Sequence, residues 1–305
     1  MKGNTLRIGT RGSQLARVQA NIVEKTLRET FPQYEVEISI INTSGDLDLK
    51  SPLYEIGGKG VFIKELEVAL LNNKIDLAVH SLKDVTAVLA KGLQLTAFIK
   101  PEAISDSLIS SNYSSFNSLP PNAVIATGSL RRKAMLKKIR PDIKTIDIRG
   151  HVETRIKKQR EEGYDGVILS TGGLLRLGLA HLITEEFNPL IFYPAPGQGV
   201  ITIETRIDDE RTNEICRALS NQEQETISRA QLAFLQEVGF DCKAPLGIHT
   251  IIEGTHLYSK IFLADTSMQS FLEKEISCPQ DNYSAKMREL GQQCLTWYKS
   301  LLNIS

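Results

Sequence analysis

Residues 75–85 combine an apolar run with polar side chains that differ in their proton chemistry. The polar residues are His80, Ser81, Lys83 and Asp84, and they follow directly after a run that predicts a buried strand. Ligands bind beyond the carboxyl ends of strands in open α/β sheets, because the loops there face a crevice. The segment is therefore a candidate active site. The alternative is a solvated turn with a local ion pair between Lys83 and Asp84, which contributes little stability.

A set of arginines forms a second candidate site, and its members follow successive strand-to-helix turns. The set comprises Arg131 and Arg132 after a turn at Ser129, Arg149 after the next strand, Arg155 one helical turn further, and Arg176 after the third strand. Helix N-termini favour anions, and a guanidinium adds bidentate recognition of a carboxylate or phosphate. A solvated basic face is the alternative. The placement at turns, instead of along one helix face, favours an anion site.

A glycine-rich segment, Gly57-Gly58-Lys59-Gly60, is a weak signal for phosphate binding. It lacks both the six-residue frame of a Walker-type loop and the hydroxyl residue that follows the lysine there. We predict a loop at this position instead, and our hypothesis is that it acts as a lid over the cleft.

Cys242 lies in a predicted loop between Asp241 and Lys243. A neighbouring cation lowers the pKa of a thiol, whereas a neighbouring carboxylate opposes that effect. These residues leave two alternatives open, a reactive thiol and a cysteine buried as a small hydrophobe. The remaining cysteines show no C-x-x-C pairing and no histidine at ligand spacing, so we expect neither a metal site nor a disulfide framework.

Composition and charge are those of an ordinary globular protein. The chain has 305 residues, of which 41% are hydrophobic and 24% charged, and 36 basic residues balance 36 acidic ones. This balance gives no general attraction to nucleic acid or to membranes. The sequence shows no secretory signal segment and no apolar stretch long enough to span a bilayer, so we expect a cytoplasmic protein.

The elements that must position these residues alternate between strands and helices over the first two thirds of the chain. Strands are predicted near residues 6–8, 35–41, 75–79, 93–98, 124–126, 145–148, 167–169 and 200–203, and helices over 14–30, 61–70, 130–139, 152–160 and 174–177. Such alternation predicts an α/β fold with largely parallel strands. From about residue 220 the pattern changes to helices over 223–238 and 283–302 with short strands between them.

Two segments are predicted to cross between domains. Residues 101–122 are rich in Ser, Asn and Pro, and residues 194–199 contain prolines and glycines. We therefore predict a first α/β lobe of residues 1–99 with 199–218, a second α/β lobe of residues 100–198, and a small α+β domain of residues 219–305 that carries Cys242.

The chain resembles the porphobilinogen deaminase (hydroxymethylbilane synthase) family from about residue 5 to its end. The motifs that carry the resemblance are T-R-G-S-Q-L-A at 10–16, G-G-K-G at 57–60, K-E-L-E at 64–67, D-L-A-V-H-S-L-K-D at 76–84, G-S-L-R-R at 128–132, I-R-G-H-V-E-T-R at 148–155, G-Q-G at 197–199 and D-C-K-A-P-L-G at 241–247. They occur in the family's order and at matching spacing. The H-S-x-K-D block together with S-L-R-R is highly specific.

The resemblance implies two lobes like those of periplasmic binding proteins, a hinged active cleft between them, and a third domain. It implies a dipyrromethane cofactor attached by a thioether to Cys242. It further implies a transferase that condenses four porphobilinogen molecules head to tail, releasing ammonia, into the linear tetrapyrrole hydroxymethylbilane of porphyrin and heme biosynthesis. We expect a monomer that acts on this small molecule and binds no nucleic acid, membrane or metal.

The resemblance also assigns roles to residues. Asp84 matches the catalytic aspartate, and a fixed carboxylate can stabilise pyrrole cations and assist proton transfer. The groups expected to hold the acetate and propionate side chains are Arg11, Ser13, Lys83, Ser129, Arg131, Arg132, Arg149, Arg155 and Arg176. Ser81 and Thr127 complete the expected binding set, and His80 is expected to have a structural role.

The sequence departs from the family's pattern at several positions. Residues 101–106 are P-E-A-I-S-D where the family usually carries R-E-D-P-R-D, and the other differences are Ser44 for Arg, Glu55 for Lys, Thr86 for Pro and His151 for Asn. The missing arginines remove possible contacts to the carboxylates of longer intermediates. A slow paralogue that stalls during elongation is therefore one alternative. A non-catalytic two-lobed binding protein for a carboxylated ligand is the other, although it gives no reason for Cys242 and Asp84 together.

Overall fold

The computed structural model of the protein describes residues 4–43, 63–239 and 244–301. Its strands are β1 (Thr5–Thr10), β2 (Glu35–Ile40), β3 (Leu77–Ser81), β4 (Leu93–Ile99), β5 (Asp106–Ile109), β6 (Val124–Ala126), β7 (Lys144–Ile146), β8 (Gly166–Ser170), β9 (Glu185–Glu186), β10 (Ile201–Arg206), β11 (Leu246–Glu253), β12 (His256–Ala264) and β13 (Phe271–Pro279). Its helices are α1 (Gln14–Thr30), α2 (Lys64–Leu71), α3 (Leu130–Ile139), α4 (Val152–Glu161), α5 (Thr171–Arg176), α6 (Glu210–Arg217), α7 (Gln222–Val238) and α8 (Tyr283–Leu301). Short 3-10 turns occur at Leu82–Asp84, Ala180–Leu182 and Gln280–Asn282. Among the residues described, no helix combines the length and the apolar character needed to cross a membrane.

The first lobe is built on a sheet with the strand order β2-β1-β3-β10-β4. β1 pairs in parallel with β2 and β3, whereas β10 runs antiparallel to both of its neighbours, β3 and β4. α1 covers one face of the sheet with Ala20, Val23 and Leu27, whose spacing places them on one side of the helix. α2 covers the other face with Leu66 and Leu70.

The second lobe is built on a sheet with the strand order β7-β6-β8-β5-β9. β6 pairs in parallel with β7 and β8, and β5 runs antiparallel to β8 and β9. The prediction of parallel strands is therefore correct for the strand pairs that precede helices. It is wrong for β5 and β10, because each of them enters its sheet from a crossing between the lobes and not from a helix on the same sheet.

The segment 101–122 was expected to be a crossing, and the structure corrects this expectation because β5 lies within it. All residues of β5 are buried, in the interior of the second sheet. The strand is only four residues long and begins with Asp106 and Ser107, so its apolar run is too short for a periodicity to indicate it. Helix α6 was also not predicted.

The two crossings, residues 100–105 and the chain between β9 and β10, pack against each other through glycines. Gly199 has a φ of +83°, and a Cβ there would lie 2.2 Å from the carbonyl oxygen of Ala103. Gly172, at the start of α5, also lies close, since its Cβ would be 2.7 Å from the same oxygen. Only glycine fits both positions, which brings the hinge segments of the chain into direct contact.

The third unit combines the antiparallel sheet β11-β12-β13 with α7 and α8. Phe234 of α7 and Leu290 of α8 pack against Ile248 and Leu263 of this sheet. The unit contacts both lobes. Ile248 N–H donates to the carbonyl of Pro194 at 2.8 Å, and the Arg229 guanidinium lies 5.2 Å from the ring centroid of Phe98 in β4. The predicted fold class, two α/β lobes with a small α+β unit, is confirmed.

Candidate active site

Strand β3 ends in the Leu82–Asp84 turn, and this turn places two charged residues at the carboxyl end of the first sheet. Leu82 and Val85 are buried and pack with Phe98 and Val200, which fixes both ends of the turn. The Leu82 N–H donates to the carbonyl of Val200 at 2.9 Å. Because the apolar residues anchor the turn, Lys83 and Asp84 are held half-buried in a defined position.

The environment of Lys83 shows that the two lobes meet at this turn. Burial lowers the pKa of Lys83 to about 8, Asp84 and Asp106 oppose the shift, and Arg131 and Arg132 add to it. Lys83 and Asp84 come from the first lobe, and the other three residues come from the second. Charges influence one another appreciably only at short separations, so the turn and the arginine pair lie close together where the lobes meet.

Arg131 and Arg132 converge on one buried carboxylate, that of Asp106. Nη1 of Arg131 donates to Oδ2 at 2.6 Å, and Nη2 and Nε of Arg132 donate to Oδ1 at 2.7 and 3.1 Å. Burial raises the pKa of Asp106, but the two guanidinium groups lower it by more. The pKa of that carboxyl is therefore held well below its usual range. The pair therefore carries one net positive charge after its internal ion pairs are counted.

A second group of arginines, Arg132, Arg149 and Arg155, lies near Asp84. Burial lowers the pKa of Arg155 to about 10, the positive charges of Arg132 and Arg149 lower it further, and Asp84 opposes them. Nε of Arg155 donates to the carbonyl of Gly150 at 2.8 Å, which fixes the guanidinium at the start of α4. Like charges repel in this arrangement, and a bound anion would relieve the repulsion.

Arg176 is placed at the crossing between the lobes. Its Nη2 donates to the carbonyl of Gly199. Burial lowers the pKa of Arg176, and the nearby carboxylate of Glu102 opposes this effect. Arg176 is thus hydrogen-bonded to the second crossing and under the electrostatic influence of the first.

The hydroxyl residues of the expected binding set hold the helix N-termini. Oγ of Ser13 accepts from the N–H of Ala16 at 3.3 Å and Oγ of Ser129 from the N–H of Arg132 at 3.4 Å, so these residues cap α1 and α3. Oγ1 of buried Thr127 accepts from the N–H of Ser129 at 3.3 Å. Both caps directly follow strand ends, and the N–H groups of such helix ends favour anions.

Ser81 and His80, which precede the turn, are held by side-chain contacts. Nε2 of Gln19 in α1 donates to Oγ of Ser81 at 2.8 Å. Nε2 of His80 lies 2.9 Å from Oε2 of Glu204, and both groups are buried between β3 and β10. Arg11, directly after β1, is half-buried. His80 thus occupies the interior of the first lobe, in agreement with its expected structural role.

Several predicted site residues lie outside the described residues. They are Cys242, Gly57, Gly58, Lys59 and Gly60, together with the divergent positions Ser44 and Glu55. The nearest described neighbours of Cys242 are Gly239, which ends α7 in the left-handed conformation, and Ala244.

The cysteines that the structure does describe are Cys216, Cys278 and Cys294, and all of them are buried. Burial raises the pKa of Cys216 to about 12 and that of Cys294 to about 11, and it also raises the pKa of Cys278. These thiols are therefore poor nucleophiles at neutral pH. Across residues 4–43, 63–239 and 244–301, no group of His, Cys, Asp and Glu side chains is suited to hold a metal ion.

Asp106 and Gln198, for which no role was expected, lie between the two arginines and the crossings. Nε2 of Gln198 donates to Oδ1 of Asp106 at 3.0 Å, and its Oε1 accepts from Nη2 of Arg131 at 3.3 Å. The G-Q-G motif at 197–199 marked the position of Gln198, but not its role. Its partners were not deducible, since Asp106 is distant in the sequence and belongs to an unpredicted strand.

The chain is similar to proteins of one enzyme family. Residues 6–214 match a family model described as porphobilinogen deaminase, dipyromethane cofactor binding domain. A porphobilinogen deaminase from Pelobacter propionicus is 40% identical over 296 residues, which cover 97% of this chain and 95% of the relative.

Solved structures with a partial likeness also exist. The methionine-binding protein MetQ has a TM-score of 0.45 and 13% identity, over 75% of this chain and 95% of that one. A putative methionine-binding lipoprotein from Bacillus subtilis has a TM-score of 0.42 and 12% identity, over 71% of this chain and 90% of that one. At this level of likeness no ligand is transferred to the present chain.

Proposed function

This chain belongs to the porphobilinogen deaminase family, and from that premise we propose the roles of its cleft residues. The protein is a transferase that condenses porphobilinogen molecules head to tail, with release of ammonia, into the tetrapyrrole hydroxymethylbilane. It acts in porphyrin and heme biosynthesis with a dipyrromethane cofactor. The alternative of a non-catalytic binding protein has no support in these matches.

The observation that carries the proposal is the concentration of positive charge around the Leu82–Asp84 turn. Lys83, Arg132 and Arg155 lie close enough to one another or to Asp84 to shift pKa values. Every pyrrole ring of the substrate carries an acetate and a propionate group, so each added ring brings two carboxylates into the cleft. We propose that the groups binding them are Arg11, Ser13, Ser81, Lys83, Thr127, Ser129, Arg131, Arg132, Arg149, Arg155 and Arg176.

The cleft also fits a dipyrromethane with acidic side chains. Nε of Arg131 is buried and has no acceptor among the described residues. The mutual repulsion at Arg155 likewise calls for an anion, and the carboxylates of the cofactor match both requirements. When bound, the dipyrromethane supplies the primer end to which substrate units are added. We propose that Cys242 anchors it, and the deep burial of the other cysteines supports this choice.

Asp84 is the proposed catalytic residue. Loss of ammonia from porphobilinogen leaves a cationic azafulvene, and the carboxylate of Asp84 can stabilise this charge and carry a proton at its Oδ atoms. Arg155 and Lys83 interact electrostatically with Asp84 and hold the substrate carboxylates beside it. Lys83 serves as a cation for binding in this arrangement, and not as a base.

The intact mass of purified protein tests the proposal most directly. We expect a mass excess equal to two linked pyrrole units in the wild type and none in Cys242→Ala. Cys216→Ala is the matched control and should keep the excess, because Cys216 is buried in the first lobe. An unmodified Cys242 that titrates freely with a thiol reagent in freshly purified wild type would contradict the attachment.

The proposal also covers the domain boundaries, the cellular location and the oligomeric state of the protein. We propose the domains 1–99 with 199–218, 100–198 and 219–305, supported by the three separate sheets. We also propose a cytoplasmic monomer without nucleic-acid or membrane partners, supported by the equal numbers of 36 basic and 36 acidic residues. Light scattering during size-exclusion chromatography tests the monomer, and a dimer mass would refute it.

The role of residues 57–60 as a lid over the cleft stays a hypothesis. Hydrogen exchange tests it, and exchange at these residues as slow as in β3 would refute it.

A further inference from the structure

Gln198 connects the two hinge crossings to the arginine pair. Its Nε2 carries two N–H donors and lies within hydrogen-bond distance of three acceptors, the carbonyl oxygens of Ile104 and Ser105 at 2.8 and 3.0 Å and Oδ1 of Asp106 at 3.0 Å, so that two of these acceptors share one N–H. Its Oε1 accepts from Nη2 of Arg131 at 3.3 Å. The side chain is 2% exposed. One amide therefore holds the first crossing, the shared carboxylate and a guanidinium group at the same time.

The backbone around Gln198 packs directly against the Leu82–Asp84 turn, called here the catalytic turn because it carries Asp84. Gly197 has a φ of +69°, and a Cβ there would lie 2.7 Å from Cγ of Leu82. A Cβ at Gly199, on the other side, would lie 2.2 Å from the carbonyl oxygen of Ala103 in the first crossing. Gln198 consequently cannot shift along its own chain without moving the turn that carries Lys83 and Asp84.

Helix α7 of the third unit holds the same point. Oε1 of Gln231 accepts from the N–H of Gly197 at 2.8 Å, in a buried position. Leu232 packs against the hydrophobic cluster that contains Leu82 and Val85, at the two ends of the Leu82–Asp84 turn. A continuous path of buried contacts thus runs from α7 through residues 197 and 198 to Asp106 and Arg131.

An amide is chemically suited to this point, because it must donate to oxygen atoms on one side and accept from a cation on the other. A carboxylate at position 198 would face Asp106 and two carbonyl groups without a proton to donate. An aliphatic side chain would leave a buried carboxylate and a buried guanidinium with one partner fewer each, which is costly.

We propose that Gln198 is a positioning residue for carboxylate recognition: it fixes Arg131 and Asp106 relative to the turn that bears Asp84. It touches neither the substrate nor the reacting atoms in this proposal. The inference rests on the proposed binding role of Arg131. Loss of Gln198 should therefore weaken the binding of substrate carboxylates while the chemical step proceeds with Asp84 in place.

The test compares Gln198→Ala and Gln198→Glu with Gln159→Ala. Gln159 is a matched control, because it is also buried and makes two hydrogen bonds, at 2.6 Å to the carbonyl of Tyr164 and at 3.1 Å from Ser111, away from the arginine pair. For Gln198→Ala we expect KM for porphobilinogen to rise about tenfold, the scale of one hydrogen bond to a charged group, with kcat within about threefold. Gln198→Glu should be at least as impaired, and Gln159→Ala should keep the wild-type KM.

A second readout does not depend on activity. Phenylglyoxal modifies accessible arginines, and peptide mapping gives the rate at each site. Arg131 is 4% exposed and Arg206, buried in the first lobe, is 5% exposed. We expect Arg131 alone to react faster in Gln198→Ala, by about fivefold or more, because its guanidinium loses a partner.

Two results would overturn the inference: equal Arg131 labelling in Gln198→Ala and Gln159→Ala, or a parallel rise at Arg131 and Arg206, which indicates general loosening. Unchanged KM in both Gln198 variants would also overturn it. If the wild type did not consume porphobilinogen, the proposed function would fail, whereas the labelling would still decide whether Gln198 positions Arg131.

Discussion

Asp84 stands among positive charges that come from both lobes, and this setting defines what its carboxylate can do. Lys83 precedes it on the same turn, and Arg155 approaches from the start of α4. In the proposed mechanism, cations at these positions bind the carboxylates of the substrate, whereas Asp84 offers the opposite charge to the pyrrole ring itself. The proposal thus divides recognition and catalysis between side chains of opposite sign.

Replacement of the Asp84 carboxylate should remove turnover without unfolding the protein. We expect Asp84→Ala to lower kcat by about 10²–10⁴-fold, because stabilisation of the ring cation and proton transfer are both lost. The melting temperature should stay close to that of the wild type, since the residue is only half-buried. Asp147→Ala, at an exposed carboxylate paired with Lys133, is the control. Full activity in Asp84→Ala would exclude the assigned role.

Lys83 should impose an alkaline limit on substrate capture. Burial lowers its pKa to about 8, so the free enzyme loses this cation as the pH rises through that value. We therefore expect kcat/KM for porphobilinogen to decline above about pH 8, and we expect Lys83→Arg to lack that decline because arginine stays charged. An identical alkaline limb in both proteins would assign the titration to another group.

The same shift has a defined effect on stability. The pKa of Lys83 is lower in the folded protein than its ordinary value of 10.5, so the unfolded chain binds more protons between about pH 8 and that value. The contribution of Lys83 to the free energy of unfolding consequently increases with pH across this window. Below about pH 8 Lys83 is charged in both states, and its burial lowers the free energy of unfolding by an amount that does not change with pH.

At the scale of elements, the starts of α1 and α3 were predictable. Ser13 and Ser129 were recognised as turn residues before helices, and both cap helices that begin at the next residue. These signals are local, because the cap and the N–H that it binds are three residues apart. β5 gave no such signal, since a four-residue strand in a sheet interior is stabilised by neighbours that are distant in sequence.

The crossings should be among the least tolerant elements. In Gly199→Ala the new Cβ would meet the carbonyl of Ala103 at 2.2 Å, and the φ of +83° is unfavourable for alanine. We expect the free energy of unfolding, measured by urea denaturation, to fall by at least about 2 kcal/mol.

Gly163→Ala separates the two causes of that loss. Gly163 has a φ of +71°, but nothing lies within 4 Å of its Cβ position. It should therefore show only the conformational penalty, about 1 kcal/mol. Equal losses in the two variants would mean that contact between the crossings contributes nothing.

At the scale of the whole molecule, the third unit is held to the second lobe mainly by apolar contact. Phe262 of β12 is fully buried and packs in the core of the second lobe, where its ring stacks on Tyr193 at 6.2 Å between centroids. The ion pair of Lys138 with Glu273, at 2.5 Å, lies at the surface beside it.

These two contacts should differ greatly in their contribution. We expect Phe262→Ala to lower the free energy of unfolding by about 3–5 kcal/mol, because it leaves a cavity between two units. Glu273→Ala should cost at most about 1 kcal/mol, since both partners are partly exposed and screened by solvent. Urea denaturation of both variants measures the difference, and a larger effect of Glu273→Ala would show that the docking is electrostatic.

The order of the units along the chain was predictable, but their contacts were not. Strand–helix alternation indicated two α/β lobes, and the change of pattern near residue 220 indicated a third unit. The convergence of Arg131 and Arg132 on Asp106, and the link from Gln231 to Gly197, depend on side chains brought together only by the fold. No spacing in the sequence encodes such pairs.

The position of β10 has a consequence for synthesis on the ribosome. This strand lies between β3 and β4, yet its residues, 201–206, are made after the whole second lobe. Until they emerge, the edges of β3 and β4 that pair with β10 have no partner strand, while the second lobe already has all its strands. A chain translated from its N-terminus should therefore complete the sheet of its second lobe first and that of its first lobe when the returning strand is inserted, and until then the open edges expose the nascent chain to aggregation.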